Sequence, residues 1–479
     1  MDKASSASSG VPRPLCVDLD GTLIKSDCLQ DALCELVRRN PLQIWRLPLW
    51  LAGGRARLKA EVARRAPLDP ARLPYNSQLL RYLQAQWREG RPMYLATGAD
   101  AGLAERIATY LGIFQGVLGS SGKTNLTSTK KLSRLKSRFP EFDYIGNSRA
   151  DVAVLAGACE AMVANPTLGL RIALRLRNIA VVGEFIDRRP TARTLLKAIR
   201  AHQWAKNVLL LLPLVLSHQL TARSVSAAIA AFFCFSFMAS ANYLMNDMLD
   251  IETDRRHRWK RLRPFAAGDL SVANGVFVAA LLSGASLAIL PVLPREFAVW
   301  LGLYIVATVS YSLYLKRLVV VDVLLLSGLY TVRLLAGGAA TGTPISQWLA
   351  GFSTLLFLSL AMLKRFSELE NLRERGAKVT NGRGYLVGDI DQIRSFGTAS
   401  AYAAVVVFML YIGRPDVTEL YRHASRLWLI VPLLIYWLNR VWLLASRGNL
   451  DEDPVVFAAR DGMSLVVGAA VAVVALLAM

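Results

Sequence analysis

Cysteine is scarce in this chain of 479 residues. The five present (Cys16, Cys28, Cys34, Cys159 and Cys234) follow neither metal-ligand spacing nor a paired framework. That excludes a disulfide-built scaffold and fits a reducing compartment with incidental thiols. A secretory leader is not expected either: polar Met1–Gly10 precedes "VPRPLCVDLDGTLI", whose apolar run is too short for a signal core and lacks a cleavage signature. The region that follows is therefore expected to stay in the cytoplasm. Acidic residues are in deficit, 35 against 56 Lys and Arg, giving a formal net charge of +21. Such an excess can serve nucleic acid. Here the bases sit in loops between apolar runs and beside carboxylate motifs, so anionic headgroups and phosphorylated substrates account for them better. No nucleic-acid partner is expected.

Apolar residues are abundant, 54% of the chain, and unevenly placed. Residues 1 to about 200 read as soluble protein, whereas from Val208 onward runs of roughly 20 apolar residues recur, each able to cross a hydrocarbon core of about 30 Å. About nine spans are expected: 207–221, 225–245, 272–292, 297–315, 318–338, 348–363, 395–413, 427–445 and 462–479. Loops 246–271, 316–317, 364–394 and 446–461 hold most of the Lys and Arg, and loops 222–224, 293–296, 339–347 and 414–426 are shorter or poorer in charge. The positive-inside rule places the first set and the N-terminal region on the cytoplasmic side of the inner membrane.

Two sets of carboxylates carry the chemistry. "PLCVDLDGTLIKSD" reads as a strand ending in Asp18 and Asp20, followed by "PMYLATGAD" ending near Thr97, Lys131 in "STKKLSRL" and Asp151 in "FDYIGNSRADVAVL". Carboxylates at the end of a parallel strand are a usual place for a site. These four motifs, in this order, resemble the haloacid dehalogenase (HAD) phosphatase superfamily. The resemblance implies an α/β parallel sheet over residues 12–190, with a helical cap at about 24–92 and a flexible N-terminus at 1–11. It makes Asp18 the nucleophile, Asp20 the acid/base, Thr97 a phosphoryl ligand and Lys131 the charge partner. Mg²⁺ would be held by Asp18, Asp20, Asn147 and Asp151. Asn147 is a departure, since an acidic ligand is usual there; an amide oxygen binds Mg²⁺ without charge. Within the cap, "PLQIWRLPLWLAGG" is expected against the membrane surface.

The second set lies in "NYLMNDMLDIETDRRHRWKRLRPFAAGDL". Asp247, Asp250 and Asp254, spaced by three and four, line one face of a helix. Stacked like charges at a membrane need neutralising, either by Mg²⁺ holding a diphosphate or by the arginines that follow. This NDxxDxxxD pattern after the second span resembles the UbiA prenyltransferase superfamily over residues 195–479. That implies an all-α membrane bundle of about nine helices, with Mg²⁺ held by Asn246, Asp247, Asp250 and Asp254. "HQWAKN", "DRRHRWKRLRPFAAG", "YSLYLKR", "LKRFSELENL" and "DEDPVVFAARD" resemble its polyprenyl-phosphate phosphoribosyltransferase branch.

In that branch 5-phosphoribosyl diphosphate (PRPP) and polyprenyl phosphate would be the substrates, on the way to a lipid-linked arabinose donor of cell-wall synthesis. Candidate substrate contacts are Lys206, Arg255, His257, Lys260, Arg261, Arg263, Tyr311, Lys316, Arg333, Lys364, Arg365 and Glu368, with Asn246 among them. His257 belongs to the basic cluster and is not read as a base. Arg333, in an apolar span, must find an anionic partner or a hydrated cavity. A tethered phosphatase would meet the product at high effective concentration and remove its 5-phosphate. The competing reading is an aromatic polyprenyltransferase of the same family with an accessory HAD domain. Self-association is left open.

Overall fold

The computed structural model describes residues 12–121, 126–188, 191–217, 220–374, 384–450 and 454–479. The expected flexible terminus 1–11 and the acidic run 451–453 lie outside the described residues. The chain divides into two compact units, Met1–Ile199 with Tyr243–Ala279, and Arg200–Asn242 with Ala280–Met479.

The first unit is built on a six-stranded, wholly parallel sheet in the order β3-β2-β1-β4-β5-β6. The strands are β1 (Leu15–Val17), β2 (Met93–Asp100), β3 (Gly116–Ser120), β4 (Asp143–Gly146), β5 (Ala161–Ala164) and β6 (Val181–Phe185). This is the order of a doubly wound α/β sheet. Strand β1 lies between β2 and β4, with Leu15 opposite both Met93 and Asp143. All three of its residues are buried, so it reads as a continuous apolar run. Its C-terminal end therefore opens between the ends of the two strands that bring Thr97 and Asn147.

Between β1 and β2 the chain is helical: Cys28–Arg39, Leu47–Ala52, Arg55–Arg65 and Ser77–Arg88. Asp27 and Asn76 cap the first and last, their side chains accepting from Gln30 and from Gln78 and Leu79. Val62, Leu79 and Leu83 turn inward and join the apolar core with Leu15, Val17 and Leu95.

Among the described residues, seven helices are long and apolar enough to cross a membrane: Ala222–Leu249, Val272–Val292, Arg295–Leu313, Val321–Thr341, Gln347–Glu374, Val387–Ile412 and Ala424–Ser446. A shorter apolar helix, Gly462–Ala478, follows. The expected first span differs. Residues 201–211 form a 3₁₀ stretch, and a short α-helix, Leu212–Leu216, starts with Pro213 in its first turn. Proline lacks the N–H of an uninterrupted helix and clashes with the preceding turn, so one long span cannot form through it. Two loops also begin later than hydropathy suggests. Gln347–Glu374 carries Lys364, Arg365 and Glu368 on a helix, and Ala222–Leu249 includes Asn246 and Asp247.

Small residues let these helices approach closely. A side chain at Gly337 would strike the Leu210 backbone, and one at Gly397 would strike the Trp442 ring.

Candidate active sites

At the C-terminal end of β1 the backbone turns at once. Leu23 and Thr22 donate back to the carbonyls of Asp18 and Leu19, and Gly21 donates to Ser26. Gly21 has φ +74°, and any side chain there would collide with the Asn147 amide. The turn exposes two carboxylates in succession. Lys131, in the helix Ser128–Arg138, places Nζ 2.8 Å from Asp18 Oδ1, 3.2 Å from Asp151 Oδ1 and 2.8 Å from the Tyr144 hydroxyl. Tyr144 donates to Asp151 at 2.9 Å. The other Asp151 oxygen accepts from the Asn147 and Ser148 amides and the Ser148 hydroxyl.

Thr97 is wholly buried within β2, which runs on to Asp100 and not only to Thr97 as expected; its Oγ1 accepts from Ala99 N at 3.0 Å. Asp20 accepts from Cys28 N at 2.8 Å. Asp18, Asp20, Thr97, Lys131, Asn147 and Asp151 thus gather around one edge of the sheet.

Burial pushes the Asp18 carboxyl up to about 6 against the pull of Lys131. Burial, with Asp27 nearby, pushes Asp20 up to about 7. Asp151 ends below its ordinary value, because Lys131, Tyr144 and Ser148 outweigh its burial. Asp20 also lines a small cavity of about 60 Å³ with Asp27, Lys59, Asp100 and Arg106, closed on one side by helix Arg55–Arg65. Lys59 reaches from that helix to the Gly98 carbonyl at 2.5 Å.

The aspartate-rich stretch nearly continues the helix Ala222–Leu249 into Ile251–Arg255, with Asp250 N bonded to Asn246 O and Asp254 N to Asp250 O. Asp247 and Asp254 converge on one guanidinium: Arg263 Nη1 lies 3.1 Å from Asp247 and 2.8 Å from Asp254. Burial pushes Asp254 up to about 6 in spite of Arg263. Asn246 and Asp250 are half-buried beside them.

The basic block divides by role. Arg256 and Arg261 line an open groove with Lys25 and Arg72. Lys260 is exposed, and His257 Nδ1 accepts from the Trp259 and Lys260 amides, closing the turn.

Arg255 lies at the edge of that groove, but its guanidinium is committed inward. It donates to Asp31 (2.7 Å), Ser26 (3.1 Å), Glu252 (2.8 Å) and the Ala266 carbonyl (3.2 Å). Four of its five N–H groups are thereby used. Arg255 thus sits in a buried ion-pair network with Asp31 and Glu252.

In the second unit, Arg365 donates to Asp322 (2.6 Å), to Glu368 and to the Tyr311 hydroxyl (3.3 Å). Tyr385 completes this knot, donating to Asp322 and accepting from Val320 N at 2.9 Å. Val320 has φ +68°, a strained conformation for a β-branched residue, and the Tyr385 bond holds it there. Arg333 finds no carboxylate among its described partners. It donates to Asn207 Oδ1 at 2.9 Å, to the Leu329 carbonyl and to the Tyr304 hydroxyl, and lies over the Phe235, Tyr304 and Tyr330 rings. Lys206 lies 5.6 Å from the same Tyr330 ring. Lys316 is half-buried in the turn Leu315–Arg317, and Lys364 is half-buried within the helix Gln347–Glu374.

The UbiA prenyltransferase family matches residues 208–476, more than half of the chain. The chain belongs to the UbiA prenyltransferase family. Over 97% of its length it is 37% identical to the uncharacterized protein y4nM of Sinorhizobium fredii, covering 91% of that protein. It is 35% identical to the decaprenyl-phosphate phosphoribosyltransferase of Mycolicibacterium smegmatis over 46% of this chain and 71% of that one. A UbiA homologue of Archaeoglobus fulgidus, solved with GPP and Mg²⁺, superposes at a TM-score of 0.46 with 16% identity, over 59% of this chain and 99% of that one. This UbiA chain is a multi-pass membrane protein carrying an N-terminal parallel-sheet domain.

Sequence reasoning missed Tyr144, Lys59, Asn207, Asp322 and Tyr385. Asp322 offered one signal, an acidic residue inside an apolar span.

Among the described residues no three His, Cys, Asp or Glu side chains close on a single metal-sized point. The donor chemistry still fits Mg²⁺. At β1, two carboxylates reach one ammonium with the Asn147 amide alongside, and at the aspartate-rich stretch two carboxylates reach one guanidinium. Both sets are hard oxygen ligands already drawn toward positive charge.

Proposed function

We propose that the UbiA part moves 5-phosphoribosyl from PRPP to polyprenyl phosphate on the cytoplasmic side of the inner membrane, and that the HAD-like domain then removes the 5-phosphate. In the first step an oxygen of the lipid phosphate forms a bond to sugar C1 while the C1–diphosphate bond breaks. The lipid phosphate is ionised at neutral pH, so the reaction needs little from a general base. It needs charge stabilisation on the departing diphosphate. Asp247, Asp250 and Asp254 would hold Mg²⁺, which supplies that positive charge when bound. Lys206 and Arg333 suit the acceptor phosphate, because guanidinium and ammonium groups near aromatic rings give an anion hydrogen bonds in an otherwise apolar setting.

In the phosphatase step Asp18 attacks phosphorus, Lys131 offsets charge on the phosphoryl group, and Asp20 gives a proton to the sugar oxygen that leaves. Asp20 then takes a proton from the water that hydrolyses the aspartyl-phosphate. The elevated Asp20 value suits that alternation near neutral pH. Asp18, Asn147 and Asp151 would hold the Mg²⁺ of this site.

The single observation carrying the phosphoribosyl assignment is the 35% identity to a decaprenyl-phosphate phosphoribosyltransferase across most of that protein's length. To test it, the full chain is incubated with Mg²⁺, polyprenyl phosphate and either PRPP or an isoprenyl diphosphate, and lipid products are weighed by mass spectrometry. PRPP is expected to give a phosphoribosyl lipid that loses one phosphate with time. Asp247→Asn is expected to slow lipid formation at least ~100-fold, and Asp18→Asn to leave it intact while the 5-phosphate stays on. Diphosphate release from the isoprenyl substrate alone defeats the phosphoribosyl reading. Phosphate release unchanged in Asp18→Asn defeats the phosphatase role.

A further inference from the structure

The cap of the HAD-like domain carries an apolar surface that its own core leaves uncovered. Helix Cys28–Arg39 stops at Asn40, whose side chain accepts from Leu42 N at 3.2 Å. Pro41 then opens a 3₁₀ stretch, Pro41–Arg46, which runs into Leu47–Ala52 and ends at Gly53 and Gly54. Trp50 is the inward anchor of this tip: it is buried, and Arg65 lies 4.6 Å over its ring. Its neighbours face the other way. Leu42 is 75% exposed, Trp45 80%, Leu49 68% and Leu51 52%.

A soluble domain seldom turns four large apolar side chains outward within ten residues, and such a patch marks a contact surface. The charge around it selects the partner. From Leu36 to Ala60 the sequence holds Arg38, Arg39, Arg46, Arg55, Arg57 and Lys59 and no acidic residue. Arg38 and Arg39 share the buried Glu35, while Arg46, Arg55 and Arg57 are exposed beside the apolar residues. Tryptophan and leucine amid exposed arginines, in a segment without acidic residues of its own, match the headgroup region of an anionic bilayer. A protein partner would call for directional contacts, whereas the exposed side chains of this tip are apolar or positively charged.

We propose that the tip 41–52 is an interfacial anchor that inserts Leu42, Trp45 and Leu49 into the headgroup boundary of an anionic membrane. The chain already spans the bilayer, so the anchor adds no membrane affinity that the helices lack. Its effect is to hold the cap at the lipid surface. This inference rests on membrane spanning alone and stands whichever chemistry the two sites perform.

The test uses the full chain with Cys34→Ser and Cys159→Ser, since Cys159 is exposed and Cys34 half-buried whereas Cys16, Cys28 and Cys234 are buried. A bimane probe is attached at Trp45→Cys, at Leu49→Cys, or at Glu89→Cys as a water-facing control. Each is reconstituted in nanodiscs of phosphatidylcholine with or without phosphatidylglycerol, containing doxyl-labelled lipid. The expected result is several-fold stronger doxyl quenching at 45 and 49 than at 89, greater in the anionic discs, and reduced by Arg46→Glu with Arg55→Glu. Two outcomes overturn the proposal. One is quenching at 45 and 49 no greater than at 89, with iodide reaching all three equally. The other is a blue-shifted probe that persists in detergent and scales with protein concentration, which assigns the surface to a second copy of the chain.

Discussion

At the scale of single residues, Tyr144 repays a closer look, since its hydroxyl touches both Lys131 and Asp151 while its ring fills the core. Phenylalanine keeps the ring and removes only that junction. Hydrogen bonds to charged groups contribute about 1.5–3 kcal/mol. Tyr144→Phe is thus expected to lower kcat for p-nitrophenyl phosphate roughly 10-fold, with KM within about twofold and lipid-product formation unchanged. Activity within twofold of the parent would mean that Lys131 is positioned without it. The thiols give a second reading of burial. Cys16 is pushed up to about 12 by burial and then by Asp143, so its thiolate fraction at neutral pH is negligible. Maleimide is expected to label exposed Cys159 first and Cys16 only on unfolding, as peptide mass mapping would record. Asp18, Asp20 and Lys131, which the fold brings to one end of the sheet, sit in short motifs that a local pattern makes readable. Tyr144 sits inside such a motif yet reads as one more strand residue. Asn207 meets Arg333 from 126 positions away, and no local spacing announces that bond.

At the scale of elements, hydropathy locates a helix better than it locates its end. The sixth span ran eleven residues further than expected, to Glu374, because Arg365 is neutralised by Asp322 and Glu368 and stays on the helix instead of ending it. The first span failed at Pro213, a breaker that a hydropathy window averages away. The final helix, Gly462–Ala478, depends on its cap. Asp461 accepts from Ser464 N at 2.8 Å and pairs with Arg440 at 2.6 and 3.0 Å. Arg440, then Ser464, holds the Asp461 carboxyl down at about 2. The folded value lies below the ordinary carboxylate value of about 3.9. Its stabilisation is therefore complete above about pH 4 and is lost as pH falls toward 2. Asp461→Ala is expected to cost about 0.5–2 kcal/mol at neutral pH, seen as a lower Tm in detergent. The gap to the parent should close as the buffer approaches pH 2–3. A gap that stays constant over that range would assign the loss to packing and not to the charged cap.

At the scale of the molecule, the first unit joins residues more than two hundred positions apart in the chain. Arg255 directly follows Asp254 of the aspartate-rich stretch, and its guanidinium ends on Asp31 and Ser26, just beyond the Asp18–Asp20 turn. Ser26 also accepts the Gly21 amide that shapes that turn, and Lys25 pairs with Asp269 at 3.2 Å. The sequence read these as separate motifs of separate domains, because a fusion point says nothing about which loops will pack. Arg255, Asp31 and Glu252 are all buried, so removing one partner leaves an uncompensated charge, a loss of about 3–5 kcal/mol. Arg255→Met is accordingly expected to lower the Tm of the full chain and to depress phosphate release and lipid transfer together, since both carboxylate turns lean on the same network. Replacing all three charges at once, as Asp31→Leu, Glu252→Leu and Arg255→Met, removes the uncompensated charge and should recover most of the lost stability, because apolar packing can substitute for a buried ion cluster. If the triple variant regains its Tm and both activities, the network is a structural strut. If it regains Tm alone, the charges also set the geometry of the two turns. A single Arg255→Met variant that melts and reacts like the parent would show that the two turns hold their shape independently.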